Sequence, residues 1–250
     1  MLRKIRLNRL IMIVISIVMV SGMKYHYSYG NSEALKWILA PTSYLVEMTG
    51  NMNFIHVENT GYVDVRNMIT IAPSCSGVNF MIIVFLLSIY TGLKRFDRPM
   101  ALFMWLIFSM AASFTYTLII NTLRINLSVY SFKTGFLASW FSIENVHLTE
   151  GVIVYFLFLL IYYSILDRNL NSSLPGKKEG HIRQVRTDLL VMAVYFTVTL
   201  FIPFLNQGGF LPEREFIDYA GIILVTCPVV LLMFFMFRIS CHYLAVKLKY

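Results

Sequence analysis

Long apolar runs recur along the chain, separated by short polar stretches. Six of them approach the roughly 20 residues that cross a bilayer as a helix. They are Leu10 to about Tyr29, Cys75–Leu93, Met100–Leu123, Gly151–Leu166, Leu189–Leu205 and Gly221–Phe237. The first follows the basic stretch MLRKIRLNRL, which has the character of a signal-peptide n-region. No small-x-small cleavage site follows it, and Met23 and Lys24 suit such a site poorly, so it reads as an uncleaved anchor.

Two of the intervening segments carry patterns of their own. The first, residues 24–74, contains ALKWILAPTSYLVEM, which predicts an amphipathic interfacial helix broken at Pro41. After it comes FIHVENTGYVDVRNMITIAP, rich in β-branched residues with a Thr-Gly turn, which predicts a small hairpin. The second, Ile125–Glu150, is dense in aromatic residues and is expected to lie on or dip into the outer membrane face. NLNSSLPGKKEG, within 167–188, is a plain linker. The predicted fold is an all-α, polytopic transmembrane helix bundle of about six spans in one integral-membrane domain. Its parts are an extracytoplasmic loop at 24–74, a motif-bearing core at 75–166, a linker at 167–188 and a C-terminal helical pair at 189–250.

Composition agrees with the pattern. Of 250 residues, 58% are hydrophobic and only 14% charged, too few charges for an ordinary soluble domain. The net charge of +8 is explained by topology. With the N-terminus in the cytoplasm, the inner segments hold Arg3, Lys4, Arg6 and Arg9, then Lys94, Arg95 and Arg98. Next come Arg168, Lys177, Lys178, Arg183 and Arg186, and finally Arg238, Lys247 and Lys249: fifteen of the 21 basic residues. Nine of the 13 acidic residues fall outside. The positive-inside rule therefore predicts both termini cytoplasmic, and the basic balance gives no motive for nucleic acid as a partner; the lipid bilayer is the partner it implies. The three cysteines, Cys75, Cys227 and Cys241, form neither a disulfide framework nor a zinc pattern.

With that topology, three reactive side chains fall at the outer ends of neighbouring spans. Cys75 opens the second span, Arg124 closes the third and His147 precedes the fourth. A thiol in the first turn of a helix faces unpaired N–H groups and the positive end of the dipole, which favour the nucleophilic thiolate. Ser74 is placed to cap that helix, Gly77 to let a backbone approach, and Asn79 to share the face of Cys75. The amides of Cys75 and Ser76 are candidate oxyanion donors. Asn121 lies one turn before Arg124, and Glu150 one turn after His147. Each residue also has an ordinary reading: a buried small hydrophobe for Cys75, a snorkelling cation for Arg124, a helix-start residue for His147. His26 and His56 fall in outer loops. Cys227 and Cys241 read as packing or surface thiols. No metal and no cofactor is called for.

The segments PSCSGVNF, NTLRI and NVHLTEG together resemble the exosortase/archaeosortase family of multi-pass membrane enzymes. In that family a Cys-Ser-Gly motif opens one helix, an Asn-x-x-Arg motif ends the next, and a His followed four residues later by Gly opens the one after. Here these are Cys75-Ser76-Gly77, Asn121 to Arg124, and His147 to Gly151. The resemblance covers about residues 70–165, and the short chain and the wording PSCSGVNF look most like the exosortase K group. It implies a cysteine protease or transpeptidase that cuts the C-terminal sorting tag from an exported protein at the outer face of the cell membrane and transfers that protein to an acceptor. The implied substrate carries a short motif, a transmembrane helix and a basic tail, and Cys75, Arg124 and His147 are the implied catalytic residues. The rival reading is a transporter or channel with Arg124 binding an anion. Against it stand the outer-rim position of the polar set and the lack of any internal repeat.

Overall fold

The computed structural model describes residues 2–50, 52–134, 143–171, 181–206 and 214–247. The chain is a transmembrane helix bundle. Six helices are long and apolar enough to cross a membrane: Leu7–Tyr29, Pro73–Arg95, Pro99–Thr134, His147–Leu170, Gln184–Leu205 and Phe216–Ser240. By contact, the chain falls into two compact units. Unit 1 is 1–136 with 162–176; unit 2 is 137–161 with 177–250.

Unit 1 is built on α1 (Leu2–Tyr29), α2 (Lys36–Gly50), α3 (Val78–Arg95) and α4 (Pro99–Thr134), with a small sheet between α2 and α3. Met12 of α1 packs with Phe85 and Ile89 of α3 and Leu102 and Leu106 of α4 in a buried apolar cluster. Two polar contacts fix the direction of α1 against α3. Arg9 donates to Asp97, just past the end of α3, at 2.6 Å. Lys24 donates to Asn79, in the first turn of α3, at 2.7 Å. The helices are therefore antiparallel. One end of unit 1 carries Arg9, Lys94, Arg95 and Arg98, and the other carries Lys24, the sheet and Cys75. Between α3 and α4 the backbones come close at Gly92, where a Cβ would run into the ring of Trp105. The same indole donates to the carbonyl of Ser88 at 2.8 Å. The Ser88 hydroxyl meets the hydroxyl of Tyr162 at 2.7 Å, which holds the second half of α5 (Ile143–Asn171) to this unit.

Four expectations are corrected here. The helix predicted to break at Pro41 does not: α2 runs unbroken through it. Proline at this position removes one backbone donor, to the Trp37 carbonyl. The turns on either side stay helical, and Thr42 and Ser43 add bonds from their hydroxyls to the carbonyls of Ile38 and Ala40, at 2.8 and 2.9 Å. The helix of the third span does not stop at Leu123 but continues to Thr134. Hydropathy drops there, yet no Gly or Pro interrupts the chain until Gly135. At 1.5 Å per residue α4 is roughly 54 Å long, well beyond the ~30 Å hydrocarbon thickness. The helix is therefore longer than the hydrocarbon core, and near its C-terminal end Asn126 donates to Thr49 of α2 at 2.7 Å. Of the rest of the aromatic segment, 135–142 lies outside the described residues, as does 172–180 of the predicted linker, and 143–150 forms the start of α5, so the fourth helix begins well before the expected Gly151. Finally, His26 and His56 are not in loops. His26 is in the last turn of α1, and His56 is in the first strand.

The predicted hairpin is present and gains a third strand. β1 (Ile55–Val57), β2 (Gly61–Asp64) and β3 (Ile69–Ile71) form an antiparallel sheet in that order. Tyr62 opposes both His56 and Ile71. Gly61 has φ 121°, and a Cβ there would strike the Ile71 carbonyl, so the Thr-Gly turn needs its glycine. Buried Asp64 fastens the β2–β3 turn. It accepts from the Asn67 amide at 3.0 Å, the Asn67 side chain at 2.7 Å and the Asn53 amide at 3.1 Å.

Unit 2 comprises the first half of α5, α6 (His181–Phe196), a five-residue π-helical segment (Thr197–Phe201), α7 (Ile202–Asn206) and α8 (Arg214–Lys247). The π segment sits just before Pro203, which lacks the N–H and crowds the carbonyl four residues back; the wider turn relieves that clash. Phe156, Val191, Tyr195, Ile223 and Cys227 are buried. Buried Asp188 of α6 pairs with Arg238 of α8 at 3.0 Å, so the start of α6 lies beside the end of α8.

Candidate active site

Cys75 lies in a 3-10 turn, Pro73–Cys75, that precedes α3. Pro73 supplies the fixed φ that starts the turn. Its amides close it: Cys75 N–H donates to Ala72 O at 2.8 Å and Ser76 N–H to Pro73 O at 3.1 Å. Gly77 then turns the chain at φ 75°, a conformation that glycine adopts without strain, and α3 begins at Val78. The placement of Cys75 in the first helical turn is therefore corrected: it stands one reversed turn upstream. Three further expectations change with it. Ser74 is exposed and caps nothing, since the residue at the cap position of α3 is Gly77, with no side-chain bond. Asn79 belongs to α3 while Cys75 does not; its side chain accepts from Lys24. The amides of Cys75 and Ser76 are engaged within the turn and are not available as oxyanion donors.

α4 completes the site. Asn121, fully buried, donates its Nδ2 to the Cys75 carbonyl at 2.7 Å. That bond pins the cysteine's backbone from a second helix. Arg124, one turn further on the same helix, is only 8% exposed, so it is not a cation snorkelling at the rim. Ser76 is fully buried, and its hydroxyl has no hydrogen-bond partner among the described residues. Cys75 itself is half-buried and in no disulfide. Below Asn121 a column of buried hydroxyls, Thr117, Ser113 and Ser109, follows the same face of α4 at four-residue spacing.

His147 and Glu150 belong to unit 2, on the first turns of α5. His147 is inside the helix rather than ahead of it, and exposed; Glu150 is buried at 6%. The structure thus joins Cys75 to Asn121, with buried Arg124 one turn further along the same helix, within unit 1.

The sequence reading missed the Lys24–Asn79 bond. A lysine near the end of an apolar anchor was the available signal. Among the described residues, no three His, Cys, Asp or Glu side chains gather as a metal site. Cys227 is buried, in keeping with a packing thiol; the side chain of Cys241 lies outside the described residues. Comparison of the chain with protein-family models, curated proteins and solved structures finds no match.

Proposed function

We propose that this protein is a membrane-embedded cysteine protease or transpeptidase of exosortase type. It cleaves an exported protein near its C-terminal transmembrane helix and passes it to water or another acceptor. The observation that carries the reading is the Asn121–Cys75 bond. Two of the three motifs that suggested the family meet in space, although 46 residues separate them in sequence. An asparagine committed to a cysteine's carbonyl, with a buried arginine one turn on, is an arrangement that packing alone does not call for.

In this reading the Cys75 thiolate attacks the scissile carbonyl carbon and the tag leaves as an amine. His147 carries the proton to that amine, a role that rests on the NVHLTEG resemblance. With the Cys75 and Ser76 amides engaged, Arg124 is the group proposed to hold the oxyanion. Water or an acceptor amine then resolves the thioester. Both termini are cytoplasmic, so the site faces outward.

The column of buried hydroxyls on α4 favours a second reading, a transporter whose polar path runs along that face. One experiment separates the two: processing of a co-expressed exported protein bearing a short motif, a hydrophobic helix and a basic tail. Loss of cleavage in Cys75→Ala and Cys75→Ser, with normal membrane levels, supports the enzyme. Undiminished cleavage in both rejects it.

A further inference from the structure

We propose that the open edge of β3 takes up an extended, acidic peptide as a fourth strand and leads it to Cys75. This rests on Cys75 being the nucleophile and concerns how substrate reaches it. β3 is an outer strand, since the order β1-β2-β3 leaves one of its sides without a neighbour. Among the described residues its backbone bonds go to β2 alone, and no helix of unit 1 packs broadly on it. An edge strand directs the N–H and C=O groups of alternate residues outward, ready to pair with another chain. Thr70, at the middle of β3, is exposed. From Ile71 the chain passes through Ala72 straight into the Cys75 turn, at most about 14 Å even if fully extended. A peptide laddered on β3 is therefore within a few residues of the thiol.

Charge selects the occupant. Arg66 is exposed in the β2–β3 turn. Lys133 reaches the same turn from α4, donating to the Asn67 side chain at 3.0 Å. The carboxylate there, Asp64, is buried and bonded to Asn53 and Asn67. The sheet's other edge differs: β1 carries Glu33 on His56 at 2.8 Å, and it does not lead into the Cys75 turn. An acidic strand thus prefers β3. Because β3 continues into α3, a substrate held by a C-terminal membrane helix would run alongside it in the same direction.

The test uses the full-length protein in detergent with the photoreactive change Thr70→benzoylphenylalanine. The probes are a labelled peptide of alternating Glu and Thr, its Lys-for-Glu counterpart, and the Glu peptide N-methylated on alternate residues in each phase. The acidic probe is expected to crosslink about tenfold more than the basic one, and Arg66→Glu with Lys133→Glu to reverse that preference. One N-methyl phase should abolish crosslinking and the other leave it, because only alternate amides pair. Equal labelling by acidic and basic probes, or by both phases, overturns the proposal. The two phases are compared on the parent protein, so a misfolded charge variant does not blunt the test. Phase-blind labelling alongside Cys75-dependent processing rejects the strand and leaves the nucleophile. Phase-dependent labelling with processing that survives Cys75→Ala rejects the nucleophile, and with it delivery to Cys75.

Discussion

Asn121 is fully buried and donates its side-chain amide to the carbonyl of Cys75. Removing the donor leaves that carbonyl without its partner, a loss of about 1–3 kcal/mol, and frees the turn to shift. Asn121→Ala is expected to lower processing by roughly tenfold to a hundredfold at unchanged membrane abundance, read by immunoblot of the cleaved substrate. Asn121→Asp should be worse, because it turns a lone-pair-bearing oxygen toward a carbonyl. Equal activity of all three would reduce the bond to packing. Arg124 is tested by Arg124→Lys. A guanidinium that grips an oxyanion through its planar fork is not replaced by a point charge, so the variant should remain defective. Full activity in Arg124→Lys would leave only a requirement for charge.

At the scale of elements, the helices were legible and their ends were not. Hydropathy marked all six spans because lipid demands about 20 apolar residues whatever their packing. It could not mark the end of α4, because a helix that leaves the bilayer needs no apolar sequence to continue. The turn around Cys75 was signalled by Pro73 and Gly77, which bracket it as they bracket turns generally; the apolar run that follows masked them. Packing makes two predictions here. Gly92→Ala drives a methyl into the Trp105 ring and should destabilise the α3–α4 contact by about 1–3 kcal/mol, seen as a lower unfolding temperature in detergent. Wild-type stability would mean that the ring moves aside freely. Burial by itself would raise the Asp64 carboxyl, but hydrogen bonds from the Asn67 side chain and from the amides of Asn67, Asn53 and Arg66 hold it below the usual carboxylate range. Its bonds therefore stabilise the sheet at neutral pH. That contribution begins to fade as pH falls past the unfolded value near 3.9, and is lost below the lower folded value. Amide exchange at 53–67, corrected for intrinsic rates, should rise below about pH 4 in the native protein. In Asp64→Asn it should be insensitive to pH.

For the whole molecule, the antiparallel run of α1 against α3 puts Arg9, Lys94, Arg95 and Arg98 at one end of unit 1 and Cys75 at the other. Together with the distribution of basic residues, this predicts that Cys75 faces outward. Reporter fusions after Asn59 and after Leu174 should then report opposite compartments, outside and inside; a cytoplasmic signal after Asn59 would turn the thiol to the wrong side. The motif residues were legible in sequence, but what joins them was not. The polar face of α4 was legible from its four-residue spacing, but that this face meets Cys75 depends on how the helices pack, which no local pattern encodes. The proposed chemistry requires a covalent bond at Cys75, and mass spectrometry of the peptide that carries it is the most direct measurement. Membranes from cells expressing His147→Ala with a tagged exported protein should contain that peptide as a thioester of the mature substrate, lost on neutral hydroxylamine. An unmodified Cys75 peptide, with wild-type cleavage that persists after Cys75 is alkylated, would contradict the account.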